Sequence, residues 1–296
     1  MRFGRLLTAM VTAFDEEGRV DIKQTRKLAS SLLSSGSDGV VVAGTTGESP
    51  TLDKEEKLKL FYEVKDEVRE RGAVIAGIGS CSTRDSVNLA REAQKTGVDG
   101  LMAVVPYYNK PSQKGLSEHF RQIASSANLP LLIYNVPSRT SLNISAEVTI
   151  ELSRIENIAG IKEASGDLVQ IAHIIKETGD DFMVYSGNDQ DILPVLAVGG
   201  YGVISVASHL VGRRIQQMMY EFTAGGVESA SRIHRELLPL FEVLFSAPNP
   251  IPVKYALSQV DFPVGKPRLP LTEADEEVRG SIRTVLTGFN IDLKPY

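Results

Sequence analysis

Eight short apolar runs punctuate this chain: "LLTAMVTAF", "GVVVAG", "AVIAGIG", "GLMAVVP", "LPLLIYNVP", "IAGIKEA", "FMVYSG" and "YGVISVAS". None alternates cleanly between apolar and polar residues, as a strand with one wet face would. Each therefore reads as a strand covered on both faces, the condition of a parallel sheet flanked by helices. The segments between them carry helical period. In "TRDSVNLAREAQKTG", Thr83 is placed to cap a helix, Val87, Ala90 and Ala93 share one face, and Gly97 can end it. In "GDLVQIAHIIKETG", Leu168, Ile171, Ala172 and Ile175 form a stripe. Strand and helix repeat roughly every 25 to 35 residues, which predicts an α/β fold, a (β/α)8 TIM barrel, over residues 1–224. The strand signal then ends, and residues 225–296 read as a C-terminal helical extension with proline-bearing turns. An open doubly wound sheet would carry a glycine-rich phosphate turn after its first strand, and none stands there.

The 296 residues, 42% hydrophobic and 23% charged, suffice for one large domain with a deep core. A net charge of -5 and the lack of any dense Lys/Arg run argue against nucleic acid or a membrane surface as partner. The single cysteine, Cys81, cannot form an internal disulfide, and four scattered histidines lack the spacings of a zinc site. A reducing, cytoplasmic setting and no metal are expected. The N-terminal "MRFGRLLTAMVTAF" superficially resembles a secretory signal but lacks a clear cleavage region, so it reads as the first core strand. No run approaches the length of a transmembrane helix.

In such a barrel, catalytic groups gather at the carboxyl ends of the strands. Those ends offer Thr45 and Thr46, Tyr107 and Tyr108, Tyr134 with Arg139, Lys162, and Gly187. Lys162, inside "IAGIKEASGD", is the anomaly. In an extended strand Gly160, Lys162 and Ala164 point one way and Ile161 with Glu163 the other, so the lysine's neighbours on its own face are small. Apolar walls disfavour the cation of an amine and favour its neutral form, which attacks ketones to give Schiff bases. A strand-end lysine whose head reaches water or a carboxylate would have the same local sequence. Tyr134 reads either as a proton relay or as an aromatic filling the barrel mouth. Arg139 reads either as a two-pronged carboxylate clamp or as half of a surface ion pair. "AGTTGES" offers hydroxyls and backbone N–H groups to an anion, while a tight turn into a helix capped by Thr51, followed by Asp53, Glu55 and Glu56, explains its downstream residues. "PYYNKP" reads as interface aromatics. Cys81 has no visible base, and His119, His173, His209 and His234 are assigned no role.

Taken in order, "AGTTGES", "PYYNKP", "YNVPSRT", "GIKEASGD", "YSGND" and "NPIPVK" resemble the dihydrodipicolinate synthase branch of the pyruvate-dependent class I aldolases, the family that also holds the N-acetylneuraminate lyases. The resemblance spans essentially the whole chain. It implies a Schiff base between Lys162 and pyruvate, with the carboxylate held by Thr45 and Thr46, and no cofactor. The resulting enamine would attack the aldehyde of L-aspartate 4-semialdehyde, and ring closure would displace the lysine, giving 4-hydroxy-tetrahydrodipicolinate on the diaminopimelate route to lysine. It further implies that Tyr134 shuttles protons, joined through Thr45 to Tyr108, and that Tyr108 enters a neighbouring subunit's site in a homotetramer built as a dimer of dimers. Arg139 would bind the semialdehyde's carboxylate, and Gly187 and Ile204 would line the pocket.

Two other readings compete. A sibling aldolase or dehydratase for 2-keto-3-deoxy sugar acids would generally lack the "PSRT" form, and a silent barrel would have no reason to keep Lys162, Tyr134, Thr45 and Tyr108 together. Where lysine-inhibited relatives bind their effector, this chain reads Lys54, Lys57, Cys81 and Asp85, with Tyr107 retained. A cation at Lys57 repels an ammonium group, which implies weak or absent lysine feedback.

Overall fold

The computed structural model describes residues 3–293; Met1 and Arg2 of the N-terminal run and residues 294–296 of the C-terminal extension lie outside them. Each of the eight apolar runs contains one strand: β1 (Leu6–Ala9), β2 (Gly39–Val42), β3 (Ala73–Gly77), β4 (Gly100–Val104), β5 (Leu131–Asn135), β6 (Ile158–Glu163), β7 (Met183–Ser186) and β8 (Gly202–Ser205). They pair in parallel and in chain order, and β8 closes on β1 to complete the barrel. Around it lie α1 (Ile22–Ser34), α2 (Lys54–Val68), α3 (Thr83–Ala93), α4 (Gln113–Ala124), α5 (Pro137–Thr140), α6 (Ala146–Leu152), α7 (Leu168–Glu177), α8 (Ile192–Ala197) and α9 (Ser208–Thr223). Three more helices follow: α10 (Val227–Val243), α11 (Ile251–Gln259) and α12 (Glu276–Leu286). The chain between α11 and α12 returns to the barrel mouth, where the Phe14 N–H donates to Val264 O over 3.0 Å.

Three local details differ from the sequence reading. The cap of α3 is Ser82, one residue before Thr83, because the Ser82 hydroxyl reaches the Asp85 N–H while Thr83 turns its own to His119 Nδ1 at 2.9 Å. Helix α2 is capped by Asp53, not Thr51: Asp53 and Glu56 exchange bonds in a reciprocal capping box. The buried stripe of α7 is Ile171 and Ile174, whereas Leu168, in the first turn, is exposed.

Side chains sort by strand parity, apart from the switch at a bulge in β6. Leu131, Ile133 and Ile161 belong to the layer between strands and helices, while Leu132, Tyr134 and Ala164 belong to the barrel interior. The pairing of β5 with β6 slips by one residue at Ala159, and beyond this bulge Gly160 stands opposite Leu132 and Lys162 opposite Tyr134. The amino end of the barrel is plugged. Phe3 sits so close to Gly100 that a Cβ there would come within 2.6 Å of its ring, and the hydroxyl of buried Tyr185 donates to Gly4 O over 2.8 Å.

Candidate active site

At the carboxyl ends of the strands lies a cavity of about 230 Å³ lined in part by Thr45, Gly77, Tyr107, Tyr134 and Arg139. Gly77 is obligatory, since a Cβ there would meet Ala43 O at 2.3 Å. Lys162 adjoins the cavity through Tyr134, its Nζ standing 4.3 Å from the centre of that ring. The lysine is 5% exposed, and among the described residues no carboxylate reaches it within ion-pair distance. It faces the barrel interior, as its strand parity requires, with Gly160 and Ala164 beside it. On the opposite face, buried Glu163 is held by Asn135 Nδ2 at 2.9 and 3.1 Å, the Ser165 N–H at 2.9 Å and Gln170 Nε2 at 3.0 Å. Burial raises the Glu163 pKa against these donors. This network ties the ends of β5 and β6 directly behind Tyr134 and Lys162.

Beyond β7, fully buried Asp189 accepts from the Val206 N–H at 3.1 Å and the Ala207 N–H at 2.9 Å, fixing the loop after β8. Burial raises its pKa, opposed by Ser205, these N–H groups and the charge of Lys162. Gly187 N–H donates to Glu163 O over 2.7 Å, and a Cβ at Gly187 would press to 2.6 Å from that of Ala164. Ile204 is fully buried in the inner layer.

The threonine turn is strained at both ends. Ala43 and Glu48 adopt left-handed φ values of 52° and 58°, costly for residues with side chains. Between them Thr45 is partly exposed at the cavity, while Thr46 is buried and accepts from Asn249 Nδ2 at 2.9 Å. Arg139, on the single turn of α5, forms no ion pair among the described residues; its one side-chain bond to them is a long one, from Nη2 to Asn249 O at 3.4 Å. The surface ion pair that its sequence also allowed is not formed, so the guanidinium is available to an anion in the cavity.

Tyr108 is 92% exposed, on a loop where its own φ is 71°, and no hydrogen bond joins it to Thr45 or Tyr134 within the described chain. Its neighbour Tyr107 takes the place on the cavity wall, with its phenol pKa raised chiefly by burial. His209 serves the scaffold: Nε2 accepts from the Val11 N–H at 3.2 Å, Nδ1 lies 2.8 Å from Val206 O, and burial pushes its pKa down to about 4. Among the described residues no group of three or more His, Cys, Asp and Glu could hold a metal ion, and no helix is long and apolar enough to cross a membrane.

Sequence reasoning assigned nothing to Asn249, Glu48 or Lys254, which lie at the core of the mouth. Lys254 Nζ is 2.6 Å from Glu48 Oε1, both side chains almost fully buried, and 4.2 Å from the centre of the Phe14 ring. Glu48 Oε2 accepts from the Arg268 N–H at 2.8 Å. The signal was present in "NPIPVKYAL", another lysine in an apolar run.

The Dihydrodipicolinate synthetase family model matches residues 2–288. A 4-hydroxy-tetrahydrodipicolinate synthase of Moorella thermoacetica is 54% identical over 286 residues, covering 97% of this chain and 98% of its own. One from Dehalococcoides mccartyi is 55% identical over 290 residues, covering 98% of both chains. Among solved structures, a dihydrodipicolinate synthase from Bacillus anthracis superposes with a TM-score of 0.96 at 46% identity, over 98% of this chain and 99% of its own.

Proposed function

The chain belongs to the dihydrodipicolinate synthetase family, and on that premise we propose that it condenses pyruvate with L-aspartate 4-semialdehyde to give 4-hydroxy-tetrahydrodipicolinate, in the diaminopimelate route to lysine. The observation that carries the assignment of roles is the amine of Lys162, buried beside Tyr134 and, among the described residues, without a carboxylate at ion-pair distance.

Lys162 Nζ attacks the pyruvate carbonyl carbon, and the oxygen leaves as water to give the protonated imine. Thr45 and Thr46 hold the carboxylate. Loss of a methyl proton sends its electron pair into the imine and yields an enamine, so the imine nitrogen is the electron sink and no metal or other cofactor is required. The enamine carbon attacks the semialdehyde's carbonyl carbon, whose oxygen takes a proton to become the hydroxyl. The semialdehyde's own amine then adds to the imine carbon and expels Lys162, closing the ring. Tyr134 moves the protons, being the phenol beside both the amine and the cavity. Arg139 takes the semialdehyde's carboxylate, for which its planar guanidinium offers two parallel N–H donors. Gly187 and Ile204 would support the pocket from the inner layer.

A cytoplasmic homotetramer, a dimer of dimers, is the assembly that suits this site. A phenol as exposed as Tyr108 has its use outside its own chain, completing a neighbour's relay through Thr45. Incubation with pyruvate and sodium borohydride, followed by peptide mass spectrometry, tests the chemistry: a reduced pyruvyl adduct is expected on Lys162. Absence of the adduct in folded protein would exclude the Schiff-base route. Adduct formation without turnover of the semialdehyde would redirect the assignment to a sugar-acid aldolase.

A further inference from the structure

Thr46 is 2% exposed, and its side-chain partner among the described residues comes from the far end of the chain, Asn249. A hydroxyl oxygen that accepts from an amide N–H retains its own proton to donate. Resting on the reading that the threonine turn binds the keto acid, we infer that Asn249 is a positioning residue for that step: by donating to Thr46 Oγ1 it commits the threonine's proton to the substrate carboxylate. An unpaired threonine hydroxyl would rotate among acceptors, including nearby carbonyls, and spend part of its time pointing away from the ligand.

The contact is braced from both sides. On the turn, Glu48 follows Thr46 by two residues and is anchored by Lys254 and the Arg268 N–H. On the C-terminal side, Lys254 stands on α11, the helix that begins two residues after Asn249, and also donates to Lys266 O at 3.2 Å. Arg268 completes the clamp, with Nη1 donating to Thr51 O at 2.7 Å and its guanidinium carbon 4.4 Å from the centre of the Phe14 ring. The strained turn is thus held against the segment that carries Asn249, and the C-terminal helices take part in shaping the keto-acid site. Asn249→Ala would remove the amide while keeping the carbonyl that Arg139 reaches, which separates the keto acid from the aldehyde.

The test titrates pyruvate against the full chain under borohydride and reads the Lys162 adduct in wild type, Asn249→Ala, Thr46→Val and the double variant. Asn249→Ala is expected to raise half-maximal pyruvate about five- to tenfold, the scale of a misdirected bond to a charged group, with the KM for the semialdehyde changed less than about twofold. In the Thr46→Val background the same change is expected to shift half-maximal pyruvate by less than about twofold, because the group it acts through is gone. Equal factors in both backgrounds, or no shift in wild type, would overturn the inference. No adduct in wild type would overturn the underlying Schiff-base reading, and the inference with it. If Asn249→Ala does not fold, Asn249→Asp keeps the shape and offers Thr46 an acceptor. Its half-maximal pyruvate should then rise more in the wild-type background than in Thr46→Val, and equal rises would again overturn the inference.

Discussion

Lys162 and Lys254 are both nearly removed from solvent, at 5% and 3% exposure, yet their surroundings treat the charge in opposite ways. Lys254 has a carboxylate at 2.6 Å, a backbone carbonyl and an aromatic face. Lys162 has an aromatic face and small side chains, with no ion pair among the described residues. An ammonium used for architecture is supplied with a counter-ion, because an unpaired buried charge is strongly destabilising. Lys162, the amine proposed to react, stands without one among the described residues. Burial alone therefore does not mark a reactive lysine; burial without a partner does.

The largest expected break in this comparison is chemical. Lys162→Ala should lose the reduced pyruvyl adduct and at least about a thousandfold in kcat, whereas borohydride trapping should leave Lys254 unlabelled in every variant. Next comes stability. Lys254→Met strands the Glu48 carboxylate and should cost about 3–5 kcal/mol in urea unfolding, while adding Glu48→Leu should recover most of the loss.

A subtler effect follows pH. Burial pushes the Lys254 pKa from 10.5 down to about 8, although Glu48 opposes the shift. Between those values the unfolded chain holds a proton that the folded chain has released. Wild-type stability should therefore gain relative to Lys254→Met as pH rises from about 8 to 10.5. A difference that shrinks as pH rises would contradict the assignment.

The smallest effect concerns a third lysine. Lys57 is partly buried, and burial lowers its pKa while Asp53 opposes the shift. If its cation guards the effector cleft that the family resemblance implies, millimolar lysine should change activity by less than about twofold. Strong inhibition in that titration would remove the reading.

The barrel was legible because each strand is buried on both faces and leaves a run of β-branched residues, and because Lys162 faces away from its outward neighbour Ile161. What stayed hidden depends on pairs distant in sequence. No local pattern couples Thr46 to Asn249, which are 203 residues apart, or tells that Lys254 has a carboxylate partner and Lys162 has none. The caps slipped for a similar reason: Ser82, Thr83 and Asp53, Thr51 are chemically interchangeable signals, and the outcome turned on His119 claiming Thr83 and Glu56 answering Asp53. Nor does a sequence reveal that Arg139 lacks, among the described residues, the ion pair that loop arginines commonly have.

The plug formed by Phe3 and Tyr185 makes the barrel a cul-de-sac. Both reactants, the departing water and the finished ring share one doorway, so order of arrival is imposed by traffic. On the proposed route pyruvate would have to reach the amine before the aldehyde occupies the mouth, and an aldehyde arriving early would block the street. Excess semialdehyde would then act as its own obstacle, relieved by more pyruvate.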